Sequence, residues 1–154
     1  MLKWRNILIE LVVISALVFC AGVIFNAFYP DGYKFRGPHD NVITINTQIA
    51  YEKYKAGALF LDARSVSEYT SGRVKGSRLL DVEKYFELIN GVYDYIDAAK
   101  EVVVYCSDLH CNKSHQLALD RLSIDSRTKM KKLYVMTAGF DSWVKNGYPV
   151  ERGK

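Results

Sequence analysis

The sequence predicts an α/β domain with about five mostly parallel strands flanked by helices, preceded by one transmembrane helix. From residue 42 onward, short apolar runs alternate with helical patterns, which is typical of a parallel sheet with helices on both faces. The run ALFLDAR at 58–64 is apolar until its polar end, as a buried parallel strand is. A longer apolar run near the N-terminus predicts the membrane helix.

The N-terminal apolar run covers residues 7–28, ILIELVVISALVFCAGVIFNAF, with Glu10 as its one charge. At about 1.5 Å per residue it reaches about 33 Å, enough to cross a hydrocarbon core of roughly 30 Å. A cleaved signal peptide would have a shorter apolar stretch that ends in a small-x-small site. Because the stretch ends in Asn26-Ala27-Phe28, we expect an uncleaved anchor in the lipid bilayer.

The orientation of this single-pass anchor follows from its flanking charges. Lys3 and Arg5 lie in residues 1–6, so the positive-inside rule places these residues in the cytoplasm. The domain would then face the periplasm from a bacterial inner membrane. Lys34 and Arg36 beyond the span oppose this bias, so the orientation depends on two basic residues against two. Residues 29–41, rich in Pro and Gly, predict a linker to a domain over 42–154.

The domain's elements are predicted in a regular order. They are a strand at 42–46, a helix at 47–57 capped by Thr47, a strand at 58–64, a helix at 65–72, a strand at 77–80, helical segments at 82–91 and 92–100, a strand at 101–106, a helix at 115–122, a strand at 131–139 and a helix at 140–149. The run EVVVYC at 101–106 is the strongest strand signal.

Composition excludes several classes of function. The net charge is +4, and basic residues do not interleave with aromatic ones in one patch, so we expect no nucleic-acid binding. The three cysteines lack C-x2-C spacing, and no metal or organic cofactor is implied. The sequence does not indicate an oligomeric state.

Cys106 is the candidate nucleophile. It ends the strongest strand, and sites in parallel sheets form at the carboxyl ends of strands. A cup of backbone N–H groups before the next helix would lower the thiol pKa and hold an anion, and His110 and Lys113 could add positive charge. The alternative is a buried, inert cysteine. The loop residues expected to bind the substrate are Ser107, Asp108, Leu109, His110, Cys111, Asn112 and Lys113.

Three segments resemble the rhodanese-like domain family, in its order and spacing. They are LFLDARSVSEYTSGRVKGSRLL at 59–80, VVVYCSDLHCNKS at 102–114 and LYVMTAGFDSWVKNGYPVE at 133–151. The resemblance implies a five-stranded, mostly parallel sheet. It also implies that Cys106 occupies the position that carries a persulfide in sulfurtransferases. Asp62 and Arg64 end the first motif's strand, where we expect them to support the site through a salt bridge or a loop anchor.

The active-site loop departs from the family pattern. The usual loop has a glycine and ends in Arg-Ser, whereas here Leu109 stands near the glycine position and Cys111 is the fifth residue after Cys106. These changes leave persulfide stabilisation and substrate choice open. Cys111 could resolve a persulfide or sulfenate on Cys106 by forming a disulfide, or it could be a small residue packed under the loop. We expect the packing role.

The leading hypothesis is a membrane-anchored sulfurtransferase. The Cys106 thiolate would attack a small sulfur-containing anion such as thiosulfate, or a protein persulfide, and pass the sulfur to a thiol or other nucleophile. One alternative is a catalytically weak binding or sensing module, and another is thiol–disulfide exchange using Cys106 and Cys111. A phosphatase is disfavoured because that chemistry uses Cys-x5-Arg, and Asn112 stands at the Arg position.

Overall fold

A computed structural model describes residues 2–28 and 41–153. The chain divides into two compact units, Met1–Arg36 and Gly37–Lys154, and each is described by itself. In the first unit, helix α1 covers Leu2–Phe28 and so includes the run expected to be helical. Over the described residues, however, no helix combines the length and apolar character needed to cross a membrane. The transmembrane anchor is therefore not supported, and the predicted linker at 29–41 lies outside the described residues except for its last position.

The second unit alternates strands and helices, as predicted. Its strands are β1 Val42–Ile45, β2 Leu59–Asp62, β3 Arg73–Val74, β4 Arg78–Leu79, β5 Glu101–Tyr105, β6 Lys132–Met136 and β7 Val150–Glu151. Its helices are α2 Thr47–Lys55, α3 Val66–Ser71, α4 Tyr85–Leu88, α5 Tyr93–Ala98, α6 Lys113–Leu117 and α7 Gly139–Lys145. Turns of 3₁₀ helix at Val82–Lys84 and Ile89–Gly91 flank α4, and a π-helical turn, Ala118–Leu122, extends α6.

Five strands form one parallel sheet in the order β1-β6-β5-β2-β4, which confirms the predicted α/β domain with a five-stranded sheet. The central strand β5 is apolar from Val102 to Tyr105 because these residues are buried on both faces of the sheet. Val102 and Val104 pack into one buried cluster, whereas Val103 and Tyr105 pack into the other. Since successive side chains of a strand point to opposite faces, both faces of the sheet are covered by core. A separate antiparallel ribbon pairs β3 with β7, which the sequence did not indicate.

Two helix predictions need correction. Asn46, not Thr47, caps α2: its side-chain oxygen accepts the Ile49 backbone N–H at 2.9 Å. Thr47 is the first helical residue and is buried. Its hydroxyl donates to the Ser142 hydroxyl of α7 at 2.9 Å. The segment 82–91 is not one helix but α4 between two 3₁₀ turns.

The sheet's carboxyl edge positions the candidate site. Because the strands are parallel, β2, β5 and β6 end side by side, at Asp62, Tyr105 and Met136. The segment that follows β5 therefore lies between the segments that follow β2 and β6, and it starts with Cys106.

Candidate functional site

Cys106 follows β5 directly and is 1% exposed. Its backbone carbonyl accepts the Phe140 N–H at 2.7 Å, and the carbonyl of Ser107 accepts the Asp141 N–H at 2.9 Å. Both donors belong to the first turn of α7. We call residues 106–112, between β5 and α6, the cysteine loop. Its start is therefore held by backbone hydrogen bonds against α7, the helix that follows β6.

Gly139 makes this close approach possible. It has φ +61°, and a Cβ built on it would lie 2.5 Å from the Ser107 carbonyl carbon and 2.6 Å from the Asp108 nitrogen. Real Cβ atoms do not come so close to backbone, and side chains rarely adopt this φ. Gly139 is thus a site residue to which the sequence analysis assigned no role. The sequence feature that could have indicated it is the Thr-Ala-Gly-Phe segment at 137–140, but no residue in that segment predicts a contact with the cysteine loop.

Cys106 and Cys111 form a disulfide, with their Cα atoms 6.1 Å apart. Cys111 is therefore not the unpaired packing residue that we expected. The intervening loop turns back on itself, because the Asp108 carboxylate accepts the His110 N–H at 2.7 Å and the Asp108 carbonyl accepts the Cys111 N–H at 3.4 Å. This turn returns the Cys111 sulfur to the strand end. In this oxidised form Asp108 occupies two N–H groups that we had assigned to an anion-binding cup.

The rest of the loop is more accessible than its first residue. Leu109 is 68% exposed, and His110 and Asn112 are exposed, whereas Cys111 is half-buried. Lys113 opens α6, and its ammonium group lies 2.9 Å from the Glu83 carboxylate. The hydrogen bond from Lys113 to Glu83 raises the pKa of Lys113. This lysine is thus paired in this form rather than directed at the cysteine.

A hydrogen-bonded carboxylate joins the loop to α3. The Ser107 hydroxyl donates to one oxygen of Glu68 at 2.8 Å, and the other oxygen accepts the Ser65 hydroxyl and backbone N–H in a capping box. Burial raises the pKa of Glu68, but these hydrogen bonds and the nearby Arg64 charge outweigh burial and lower the pKa overall. Glu68 thus pairs with the N-terminus of α3 and with Ser107 of the loop.

Asp62 and Arg64 form a buried ion pair near the loop. Arg64 donates to both carboxylate oxygens of Asp62, at 2.9 and 2.7 Å, and to the Gly72 carbonyl at 2.7 Å. The Tyr105 hydroxyl donates to Asp62 at 2.6 Å, and the Arg64 guanidinium lies 4.2 Å from the centre of the Phe140 ring. These bonds connect the ends of β2 and β5 with α7. The charged groups of Asp62 and Arg64 therefore bond to each other and to groups of the same chain at the edge of the sheet.

Comparisons with known proteins agree with the fold described above. The family model described as Rhodanese-like domain matches residues 46–146. A rhodanese-related protein from Thermoplasma volcanium superposes with a TM-score of 0.55 at 26% identity, over 71% of this chain and 97% of that one. A Saccharomyces cerevisiae protein, described as a homologue of single-domain rhodanese and of the Cdc25 phosphatase catalytic domain, gives 0.54 at 18% identity, over 69% and 82% of the two chains.

A protein from Bacillus halodurans gives a TM-score of 0.55 at 16% identity, over 71% of this chain and 77% of that chain, which shows the fold alone. The comparison with curated proteins finds no match. The family match extends over well more than half of the chain and includes the cysteine loop and the glycine that contacts it. By this match, the chain belongs to the Rhodanese-like domain family.

Proposed function

We propose that this protein is a sulfurtransferase in which Cys106 accepts a sulfane sulfur as a persulfide. Membership of the family supports a sulfurtransferase-type or related function. The observation that carries the proposal is the position of Cys106 at the carboxyl end of the central strand, with its loop held by the first turn of α7. This is the edge of a parallel sheet where catalytic groups gather.

The transfer has two displacement steps. The Cys106 thiolate attacks the outer sulfur of a donor such as thiosulfate, the donor's S–S bond breaks, and sulfite leaves with the electron pair. A nucleophilic acceptor then attacks the outer sulfur of the persulfide and restores the thiolate. Only the thiolate is nucleophilic, so the disulfide of Cys106 with Cys111 must first be reduced. A dithiol partner would supply the two electrons.

The test is a sulfur-transfer assay on the reduced full-length protein, after removal of the reductant. Thiosulfate or a small-molecule persulfide serves as donor and cyanide as acceptor, and thiocyanate is measured. We expect Cys106→Ser to abolish thiocyanate formation. Cys20→Ser is the matched control, because Cys20 is a free, exposed cysteine of the other unit, and it should leave the rate unchanged. Wild-type turnover by Cys106→Ser would exclude the proposal.

The disulfide favours a second candidate, thiol–disulfide exchange with partner proteins. Exchange needs both cysteines, whereas sulfur transfer needs Cys106 alone. A Cys111→Ser variant therefore separates the two functions. If it still transfers sulfur to cyanide but no longer accelerates the reduction of a protein disulfide, both activities exist and only exchange requires Cys111. If wild type does not accelerate the reduction of a protein disulfide by dithiothreitol, the second candidate is excluded.

We also propose, from the sequence alone, that residues 7–28 anchor the protein in a membrane with the domain on the extracytoplasmic side. The long apolar run, whose one charge is Glu10, and the flanking Lys3 and Arg5 support this. A tag at the C-terminus should then be digested by protease in intact spheroplasts. Digestion only after lysis would place the domain in the cytoplasm.

A further inference from the structure

The disulfide lies within the loop that the proposed function assigns to sulfur transfer. We infer that Cys111 is a resolving thiol: it displaces the sulfur bound to Cys106 as hydrosulfide and closes the disulfide seen here. The protein would then reduce sulfane sulfur at the expense of a dithiol, in addition to transferring it. This inference rests on the proposed function, since it requires a persulfide on Cys106.

The loop geometry supports a resolving role. A disulfide needs Cα atoms about 4.4–6.8 Å apart, and those of Cys106 and Cys111 are 6.1 Å apart. The turn at Asp108 sets this separation through hydrogen bonds to the N–H groups of His110 and Cys111. A thiol at position 111 therefore lies within bonding reach of the atom to which an incoming sulfur would be attached.

The disulfide is poorly placed to stabilise the fold as a structural cross-link. It encloses four residues of one surface loop, and so short a closure removes little entropy from the unfolded chain. In the described part of the chain, neither of the two buried apolar clusters includes Cys106 or Cys111. Although Cys106 is buried, the two clusters that cover the sheet are thus formed without the disulfide, which fits a bond that opens and closes.

The two cysteines differ in exposure, which gives the reduction step a direction. Cys106 is buried, whereas Cys111 is half-buried beside the exposed Leu109 and His110. An external thiol therefore reaches the Cys111 sulfur first. Attack there forms a mixed disulfide on Cys111 and releases the Cys106 thiolate, which is the nucleophile that the next donor needs. Reduction thus regenerates the reactive form directly.

The proposed steps balance. The Cys111 thiolate attacks Cys106 Sγ of the protonated persulfide, a bond forms between the two cysteine sulfurs, and the bond from Cys106 to the outer sulfur breaks. The outer sulfur leaves as hydrosulfide with the electron pair and its proton. It is reduced by two electrons, while the two thiols are oxidised to a disulfide. A partner dithiol then reduces this disulfide and becomes a disulfide itself.

A single-turnover experiment tests the inference. Reduced full-length protein is freed of reductant, kept without oxygen and mixed with thiosulfate, whose leaving group, sulfite, can only return the sulfur as thiosulfate. Hydrosulfide and intact mass are then measured. We expect wild type to release about one hydrosulfide per chain and to lose two hydrogens. Cys111→Ser should release none and retain the mass of one added sulfur, and Cys20→Ser should behave as wild type.

The outcomes separate the inference from the proposed function. A wild-type protein that keeps the persulfide without releasing hydrosulfide overturns the resolving role alone, and so does equal release by Cys111→Ser. Absence of sulfur uptake by both proteins overturns the proposed function, and the inference with it. Cys111→Ala serves as a second variant, so that a folding defect specific to serine does not decide the result.

Discussion

Gly139 offers a direct test of how the fold holds the cysteine loop. It opens α7 with φ +61°, and an added Cβ would lie 2.5 Å from both the carbonyl carbon and oxygen of Ser107. Gly147, just past the other end of the same helix, has φ +70°, but no described atom lies within 4 Å of its Cβ position. The two glycines share a backbone conformation, and only Gly139 contacts the loop. Gly147→Ala is therefore a matched control for Gly139→Ala.

The expected destabilisation follows from these two features. A left-handed conformation costs an alanine about 1–2 kcal/mol, so Gly147→Ala should lower the free energy of unfolding by that amount. Gly139→Ala has the same conformational cost. Its Cβ also forces the backbone of Ser107 and Asp108 to move, and overpacking of this kind costs about 1–3 kcal/mol more. Together these give about 2–5 kcal/mol for Gly139→Ala.

Urea unfolding of both full-length variants measures these free energies, and the thiocyanate assay measures sulfur transfer. We expect Gly139→Ala to lose sulfur-transfer activity even without urea, where the variant is folded, because the loop backbone must shift. Gly147→Ala should keep this activity. Equal destabilisation of the two variants, or equal activity, would refute the reasoning that Gly139 positions the loop.

Three further predictions concern the groups around the loop. Asp62→Asn should lower the free energy of unfolding by roughly 3–5 kcal/mol, because it leaves the buried Arg64 charge without its carboxylate partner; a urea midpoint near the wild-type value would contradict this. The hydrogen bonds that lower the pKa of Glu68 stabilise the fold above its ordinary value of 4.5, and this contribution is lost as pH falls through the lowered pKa. Unfolding midpoints measured against pH should therefore fall less steeply below about pH 4.5 in Glu68→Gln than in wild type, and parallel curves would contradict this. Cys111→Ser should lower the free energy of unfolding of the oxidised protein by no more than about 2 kcal/mol, since the enclosed loop is so short, and a larger loss would indicate a structural disulfide.

The sheet was predictable because its longer strands are recognisable from their apolar residues alone. A parallel strand buried on both faces reads as an unbroken apolar run, and Val102 to Tyr105 indeed supply core to both sides. The ribbon of β3 and β7 escaped prediction because strands of two residues have no periodicity to detect. The cap of α2 was misplaced by one residue, since Asn46 and Thr47 are both good capping residues. The distant Ser142 decided between them by taking the Thr47 hydroxyl.

The position of the candidate site was predictable from the sequence, but the disulfide between its two cysteines was not. A cysteine at the end of the best strand must lie at the carboxyl edge of the sheet, and Cys106 does. The disulfide depends on how Asp108 folds the loop back, which spacing alone does not determine. The contact of Gly139 with Ser107 depends on the packing of two elements that are far apart in sequence. Local patterns thus located the candidate nucleophile, and long-range packing determined its surroundings.

The central claim is that Cys106 carries the transferred sulfur. The most direct test is peptide mapping by mass spectrometry of the Cys111→Ser variant after exposure to thiosulfate, with the persulfide trapped by an alkylating reagent. We expect one added sulfur on the peptide that contains Cys106 and none on the peptide that contains Cys20. An unmodified Cys106, or sulfur on Cys20 instead, would contradict it.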